Sequence, residues 1–303
     1  MMSLVRRYRE FRDWVQGREL FDRQRELTGA MLARQVRALT TLDTLREAEF
    51  RVHSQFGDDG IIQWLVSRLP GLENTFVEFG VEDYTEANTR FLLVNDNWSG
   101  LVMDGDPGNI AALRRRPWFW RHDLDAKAIF LTAQNVDSAI ADWVGDRELG
   151  LLHIDVDGND YWLWEAVDCV RPGIVIAEYN AVFGAELAIT IPYQADFQRL
   201  RAHPSGQYFG ASLAALAHLG TLKGYGLIGT NSAGNNAYFV RRDLLGPGLC
   251  ERSVEEAYSP PVFRDSRTAG GHLDFASLPE RRRAISGLPV VDVRTGQVEA
   301  FRP

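Results

Sequence analysis

Residues 75–80 read TFVEFG, a short apolar run that ends in glycine, and the rest of the chain can be interpreted outward from it. Its length and its β-branched and aromatic residues predict a buried strand. Strand-like runs recur at 101–103, 118–122, 129–132, 151–156 and 174–179, with helical patterns between them at 85–95, 107–116, 135–144 and 160–168. This alternation with short links predicts an α/β fold with a Rossmann-like, mostly parallel sheet and helices on both faces.

The chain outside this alternation falls into two further segments. Residues 1–50 predict an N-terminal helical arm, whose apolar stripe over residues 4–32 either makes a homo-oligomer contact or packs on the chain's own body. Residues 51–242 form the predicted Rossmann-like domain, which ends in an antiparallel hairpin because turn-rich residues separate runs at 226–229 and 237–240. Residues 243–303 contain many prolines and little periodicity, which predicts a wrapping or lid segment.

Composition and charge exclude several classes of protein. The net charge of −8 argues against a nucleic-acid-binding protein, whose binding surface is usually basic. Cys169 and Cys250 lie far apart and outside any metal-ligand spacing, which argues against a zinc site. Arginines and acids interrupt residues 1–30 too often for a secretory signal, and no apolar run approaches the roughly 20 residues of a membrane span. We therefore expect a cytoplasmic protein without a membrane span.

Carboxylate residues stand at the ends of four predicted strands. They are Glu78 before Phe79 and Gly80, Asp104 before Gly105 and Asp106, Asp155 with Asp157, and Glu178 before Asn180. In an open parallel sheet, ligands bind beyond the C-terminal ends of the strands, near the point where the strand order reverses. We therefore expect a ligand site at this edge of the sheet.

The first two of these turns indicate the type of ligand. Asp104 follows the second strand, where a carboxylate can accept both ribose hydroxyls of an adenosine group. Gly80 would let the backbone approach the ligand closely. The dinucleotide pattern GxGxxG is absent, and acidic Glu82 and Asp83 would repel a pyrophosphate but suit a cationic amine or sulfonium. The turns therefore favour S-adenosylmethionine over a nicotinamide dinucleotide.

These motifs, taken together, resemble a known family. Residues 76–80 (FVEFG), 104–106 (DGD), 154–158 (IDVDG) and 176–178 (IAE) are similar to class I S-adenosylmethionine-dependent methyltransferases, and their order resembles the FkbM-type group. The resemblance covers about residues 50–180. It implies a seven-stranded sheet with a final antiparallel strand, and methyl transfer, often to a hydroxyl of a sugar or secondary metabolite. The family usually carries another glycine near Tyr84, so a tyrosine there predicts a narrower methionine pocket or weak cofactor binding.

Methyl transfer to a hydroxyl requires alignment of the two reactants and removal of a proton. The candidate bases are Asp155, Asp157, Glu178 and His53. Asp155, Glu178 and Asn180 also form a candidate Mg²⁺ site, because this ion prefers oxygen ligands. Candidate cofactor-binding residues are Gln55, Glu78, Phe79, Gly80, Asp104, Gly105 and Asp106.

The sequence thus predicts an S-adenosylmethionine-dependent methyltransferase that acts on a small-molecule hydroxyl. Two alternatives stay open. One is a non-catalytic binding or assembly protein on a methyltransferase-like fold, which Tyr84 favours. The other is a nicotinamide-dependent oxidoreductase, against which the missing glycine pattern counts. S-adenosylhomocysteine binding distinguishes the first reading from both alternatives.

Overall fold

The computed structural model describes the backbone of residues 4–303 and the side chains of residues 20–303. Its centre is a seven-stranded sheet in the order β3-β2-β1-β4-β5-β8-β7. The strands are β1 (Thr75–Phe79), β2 (Ser99–Asp104), β3 (Leu124–Ala128), β4 (Leu151–Ile154), β5 (Ile174–Glu178), β7 (Tyr225–Thr230) and β8 (Asn236–Arg241). All neighbours pair in parallel except β8, which is antiparallel to both β5 and β7. The predicted mostly parallel sheet with a final hairpin is confirmed.

Helices cover both faces of this sheet, as the sequence predicts. On one face α5 (Val136–Val144), α6 (Asp160–Ala166) and α8 (Leu213–Lys223) pack against the side chains of Val77 and Phe79. On the other face α2 (Asp58–Arg68), α3 (Arg90–Asp96) and α4 (Pro107–Arg114) pack around Phe76. Because successive side chains of a strand point to opposite faces, this short strand contributes to both cores. The fold is therefore Rossmann-like.

Three local predictions differ from the structure. The run at 118–122 contains a 3₁₀ turn at Phe119–Arg121, and the edge strand β3 ends before the run at 129–132 begins. Leu124 and Ala126 of β3 are buried whereas Asp125 is exposed, so an edge strand carries no continuous apolar run. The helix predicted at 85–95 begins only at Arg90, because residues 80–89 form a long turn.

The C-terminal segment contains more regular structure than the sequence indicates. Strands β6 (Ile189–Thr190), β9 (Pro289–Asp292) and β10 (Val298–Ala300) form a second sheet in the order β10-β9-β6. This sheet shares a small core with Phe183, which follows β5, and with Phe301, which follows β10. Short helices α7 (Arg199–Ala202), α9 (Val254–Ala257) and α10 (Leu278–Ala284) connect these parts. The segment therefore lies next to the C-terminal end of β5.

The N-terminal arm is one helix, α1 (Leu4–Arg37), followed by a 3₁₀ turn at Leu45–Ala48. Ala33 and Val36 are buried against the body, whereas Leu20, Leu27 and Met31 are exposed. The first part of the predicted apolar stripe, at residues 4–15, lies outside the described side chains. The oligomer contact stays a prediction. In the described part of the chain, no helix is long and apolar enough to cross a membrane.

Candidate active site

The strand order reverses between β1 and β4, and a cleft of about 310 Å³ opens there at the C-terminal ends of the strands. Five of the residues that the sequence predicts for the site line it: Gly80, Asp104, Gly105, Asp155 and Asp157. This is the position at which open α/β sheets bind their ligands. The topology therefore brings together side chains that are up to 77 positions apart in the sequence, from Gly80 to Asp157.

A larger cavity, of about 490 Å³, lies elsewhere, at the outer edge of β7. It is lined by Leu45, Trp64, Ile228, Arg252 and other residues, and it shares no residue with the cleft. None of the strand-end carboxylates lines this cavity. We therefore assign the candidate site to the smaller cleft.

The turn after β1 requires glycine at position 80. Gly80 has a φ of +68°, and a Cβ atom built on it would overlap the backbone carbonyl oxygen of Asp155. Any other residue would therefore push the β1 turn away from the β4 turn. Glu82 and Tyr84 in the same turn also have positive φ values, +48° and +61°. Such strain in residues other than glycine is concentrated at functional sites.

Asp104 at the end of β2 organises the next part of the cleft. Its Oδ2 accepts a hydrogen bond from the backbone N–H of Glu82 (2.8 Å), and its Oδ1 accepts from the backbone N–H of Asp106 (2.8 Å) and from Asn109 Nδ2 (3.1 Å). A carboxylate offers about four lone-pair sites, so Asp104 retains capacity for a ligand hydroxyl. The side chain of Asp106 instead caps α4 by accepting from the N–H of Gly108 (2.7 Å), and Asp106 does not line the cleft.

The sequence does not predict the part of the cleft that is lined by the residues after β3. Ile129, Phe130 and Leu131, which follow β3, line the cleft, and the Phe130 ring approaches Gly105 so closely that a Cβ there would lie 3.0 Å from it. An exposed aromatic ring beside a hydrogen-bonding carboxylate is a suitable surface for a flat base. The available signal was the aromatic residue in the turn after the third strand. The misplacement of that strand hid it.

Three carboxyl groups converge beside the cleft. Oxygen atoms of Asp155, Asp160 and Glu178 lie within 4.8 Å of one another. Asp160 is anchored, because its two oxygens accept from the N–H groups of Val156 (2.8 Å) and Gly158 (3.0 Å). Oε2 of Glu178 is buried and has no hydrogen-bond partner within the described residues.

The electrostatic consequence is a shift of all three carboxyl groups toward the neutral form. Burial and the neighbouring acids raise the pKa of Asp155 to about 7. Burial, opposed by its backbone hydrogen bonds, raises the pKa of Asp160 to about 6. Burial and Asp155 raise the pKa of Glu178 well above its ordinary value. The cluster would therefore gain from a cation or from retained protons.

Asp157 and Asn180 are occupied by protein partners. Asp157, at a φ of +56°, pairs with Arg199 (3.0 Å), whose guanidinium also pairs with Asp265 (2.8 Å). Asn180 Oδ1 accepts from the N–H of Val182 (3.0 Å), and its Nδ2 donates to the carbonyl groups of residues 207 and 209. The Asn180 oxygen that the sequence predicts as a metal ligand thus already has a backbone donor, and Asp160 stands in the carboxylate cluster instead.

Glu78 and Phe79 lie beneath the site rather than in it. Phe79 is buried in the core. Both oxygens of Glu78 accept hydrogen bonds: Oε1 from the Asn88 N–H (2.8 Å) and His153 Nδ1 (2.9 Å), and Oε2 from the N–H (3.1 Å) and hydroxyl (2.5 Å) of Thr89. Glu78 therefore holds the 80–89 turn in place from below, and His153 is a packed core histidine.

Tyr84 does not narrow the cleft. Its ring is fully buried on the core side of the turn, and its hydroxyl lies 2.8 Å from Thr89 Oγ1. Tyr84 is not among the residues that line the cleft. Tyr84 therefore does not narrow this cleft, because the left-handed backbone at Tyr84 places the ring on the core side of the turn.

His53 and Gln55 also lie apart from the cleft. His53 is buried against α1, with Nε2 3.5 Å from Glu26 Oε1 and Nδ1 3.3 Å from Arg25. Burial lowers the pKa of His53 to about 4, so the ring is neutral at physiological pH. Gln55 is exposed and does not line the cleft.

The chain matches no protein-family model and no curated protein. Among solved structures it is similar to the N-terminal domain of EvdMO1 with SAH bound, at 12% identity and a TM-score of 0.40 over 74% of this chain and 94% of that chain. It is also similar to an S-adenosylmethionine-dependent methyltransferase from Clostridium acetobutylicum, at 9% identity and a TM-score of 0.37 over 60% and 89% of the chains. The match to the pyocyanin biosynthetic protein PhzM, at 9% identity and a TM-score of 0.32, covers 60% of this chain and only 56% of that one.

Proposed function

We propose that this chain is an S-adenosylmethionine-dependent methyltransferase that acts on a hydroxyl group of a small molecule, such as a sugar or a secondary metabolite. The observation that carries the proposal is the cleft at the reversal of strand order. It joins the glycine turn after β1, the carboxylate after β2 and the acids after β4 in one site. The match in position between these three groups and an adenosyl ligand is the reason for choosing this function.

The residues present fit such a cofactor. Asp104 is the candidate for the ribose hydroxyls, and the Phe130 ring is the candidate surface for adenine. Glu82, Asp155 and Asp157 also line the cleft, and their carboxyl groups suit the cationic sulfonium and ammonium groups of the cofactor. Burial and the nearby Asp104 raise the pKa of Glu82, which is the expected result of like charges gathered without a cation.

The chain's own residues would align the acceptor and remove its proton, while S-adenosylmethionine would supply the electrophilic methyl group. Asp155 is the best-placed base, because it lines the cleft beside Gly80 and its pKa of about 7 suits proton transfer near neutral pH. Asp157 lines the cleft but is held by Arg199, so we assign it to acceptor binding. Glu178 lies deeper and belongs to the carboxylate cluster.

A divalent cation is the alternative to a general base in this proposal. Asp155, Asp160 and Glu178 would hold it, since each offers an oxygen of the kind that Mg²⁺ prefers. The unpartnered Oε2 of Glu178 supports this assignment. Such an ion would lower the pKa of a bound acceptor hydroxyl and would keep the three carboxyl groups ionised.

Calorimetric titration with S-adenosylhomocysteine, with and without Mg²⁺, tests the proposal. We expect micromolar binding, and we expect Asp104→Ala to weaken it about tenfold or more through loss of a charge-assisted hydrogen bond to a ribose hydroxyl. Asp106→Ala is the matched control, because this neighbouring carboxylate only caps α4. It should leave the affinity unchanged.

Absence of binding by the unchanged chain would overturn the proposal. Equal losses in the two variants would overturn the ribose assignment to Asp104. Tyr84, on which the non-catalytic alternative depended, lies outside the cleft, so it no longer favours that alternative.

A further inference from the structure

Asn159 carries a buried polar atom that the fold itself does not explain. The residue lies between β4 and α6, lines the cleft, and is only 5% exposed. Its Nδ2 donates to the backbone carbonyl of Gln194 (2.8 Å). Because a carbonyl can only accept, this bond orients the amide and leaves Oδ1 as the free group. Oδ1 is buried and has no partner in the part of the chain that is described.

Local structure does not use this oxygen. Asn159 is the residue before α6, a position at which asparagine often caps a helix, but its side chain makes no cap hydrogen bond. The neighbouring Asp160 binds the turn instead, through the N–H groups of Val156 and Gly158. A buried acceptor without a donor costs free energy, so most buried acceptors in folded proteins have a hydrogen-bond partner and an exception requires an explanation. Among described side-chain atoms that are buried and unpartnered, Oδ1 of Asn159 alone belongs to a residue lining the cleft.

The sheet order indicates which end of the cofactor this oxygen meets. If Asp104 after β2 binds the ribose, adenine extends toward β3 and Phe130, and the amino-acid end extends across β1 toward β4. Asn159 follows β4 and lies on the side of Asp155 and Asp157. An oxygen acceptor with two carboxylates nearby suits an ammonium group.

We propose that Asn159 Oδ1 accepts a hydrogen bond from the α-ammonium group of the bound cofactor. This inference rests on the proposed function. Asn159 then acts as a positioning and specificity residue that distinguishes a nucleoside with an amino-acid tail from one without it. It holds the tail, and thereby the sulfur atom, against the β4 turn.

Two ligands that differ only in the tail test the proposal. S-adenosylhomocysteine carries the amino acid, whereas 5′-methylthioadenosine has the same nucleoside and a thioether sulfur but no ammonium group. Calorimetry on Asn159→Leu should show a loss of affinity for S-adenosylhomocysteine of about tenfold or more, as expected for one hydrogen bond to a charged group. The affinity for 5′-methylthioadenosine should stay within about twofold of the unchanged chain, since no such bond is lost.

Asn159→Asp is the second variant, because it retains an acceptor oxygen and adds negative charge. It should bind S-adenosylhomocysteine at least as tightly as the unchanged chain, which a merely structural role of the amide does not predict. Asn236→Leu is the matched control: Asn236 is also a buried amide with an unpartnered Oδ1, but it does not line the cleft. Thermal unfolding establishes that each variant is folded at the titration temperature.

Equal losses for both ligands in Asn159→Leu, or no loss for either, would overturn the inference alone. Failure of the unchanged chain to bind either ligand would overturn the proposed function and this inference with it.

Discussion

Buried carboxyl groups occur at two places on neighbouring strands of the same sheet, and their hydrogen-bond partners differ between the two places. Glu78 on β1 accepts hydrogen bonds from Asn88, from the backbone and hydroxyl of Thr89, and from His153. Asp155 and Glu178, which follow β4 and end β5, have no comparable set of donors in the described part of the chain, and Glu178 Oε2 has none. The hydrogen bonds of Glu78 are complete without a ligand, whereas those of Asp155 and Glu178 are not.

The pKa values shift in opposite directions as a result. Burial alone would raise the pKa of Glu78, but the hydrogen bond and charge of His153, with Thr89 and Asn88, hold it below its ordinary value. Burial also raises the pKa of Asp155 and Glu178, and there the neighbouring acids add to the effect. A buried acid with built-in donors stabilises the fold. A buried acid without them lowers stability and is a candidate for function.

The largest expected effect is that of Glu78→Gln. This change removes one charge of a buried pair and replaces one acceptor oxygen with an amide N–H that faces other donors, which typically costs about 3 kcal/mol. Urea unfolding at neutral pH measures the free energy of unfolding. A loss below about 1 kcal/mol would show that Glu78 and its hydrogen-bond partners do not stabilise the fold, and would contradict the comparison.

Glu178→Gln should change the free energy of unfolding in the opposite direction to Glu78→Gln and by a smaller amount. The pKa of Glu178 is raised in the folded state, so its contribution to stability is fully present below about pH 4.5 and is lost as the pH rises. Glutamine does not ionise, so the variant does not lose stability in this way as the pH rises. Its free energy of unfolding should therefore exceed that of the unchanged chain at pH 8, with little difference near pH 4.5.

The same experiment with Mg²⁺ sharpens the comparison. An ion held by the three carboxyl groups would stabilise the unchanged chain at pH 8 and have less effect on Glu178→Gln. If Glu178→Gln instead destabilises the chain as much as Glu78→Gln does, then both groups are structural. In that case the carboxylate cluster is not a site.

The sequence predicts much of the fold because alternating patterns specify it. The strands that are buried on both faces, such as β1 and β4, consist mostly of apolar residues. The edge strand β3 was misplaced, since only alternate residues of it are buried. The small sheet of β6, β9 and β10 was missed because strands of two to four residues leave no readable period.

The sequence predicts the site less completely, and the difference between Glu78 and Asp155 shows why. Both precede a turn and both are acidic. Glu78 is still inside β1, where its side chain points into a helix-covered face, whereas Asp155 is one residue past the end of β4 and opens onto the cleft. Strand ends are not predictable to one residue. Contacts such as the orphan oxygen of Asn159 depend on the tertiary structure alone.

The smallest expected effect is that of Tyr84→Phe. It tests whether Tyr84 belongs with Glu78 and its hydrogen-bond partners or with the cleft. The Tyr84 hydroxyl contacts Thr89, whose own hydroxyl donates to Glu78, so Tyr84 extends the satisfied group and not the cleft. Removal of one neutral hydrogen bond should lower the free energy of unfolding by about 0.5–1 kcal/mol. The affinity for S-adenosylhomocysteine should change by less than about twofold, because the ring and the left-handed backbone of the turn remain. A tenfold loss of affinity with unchanged stability would instead place Tyr84 in the ligand site.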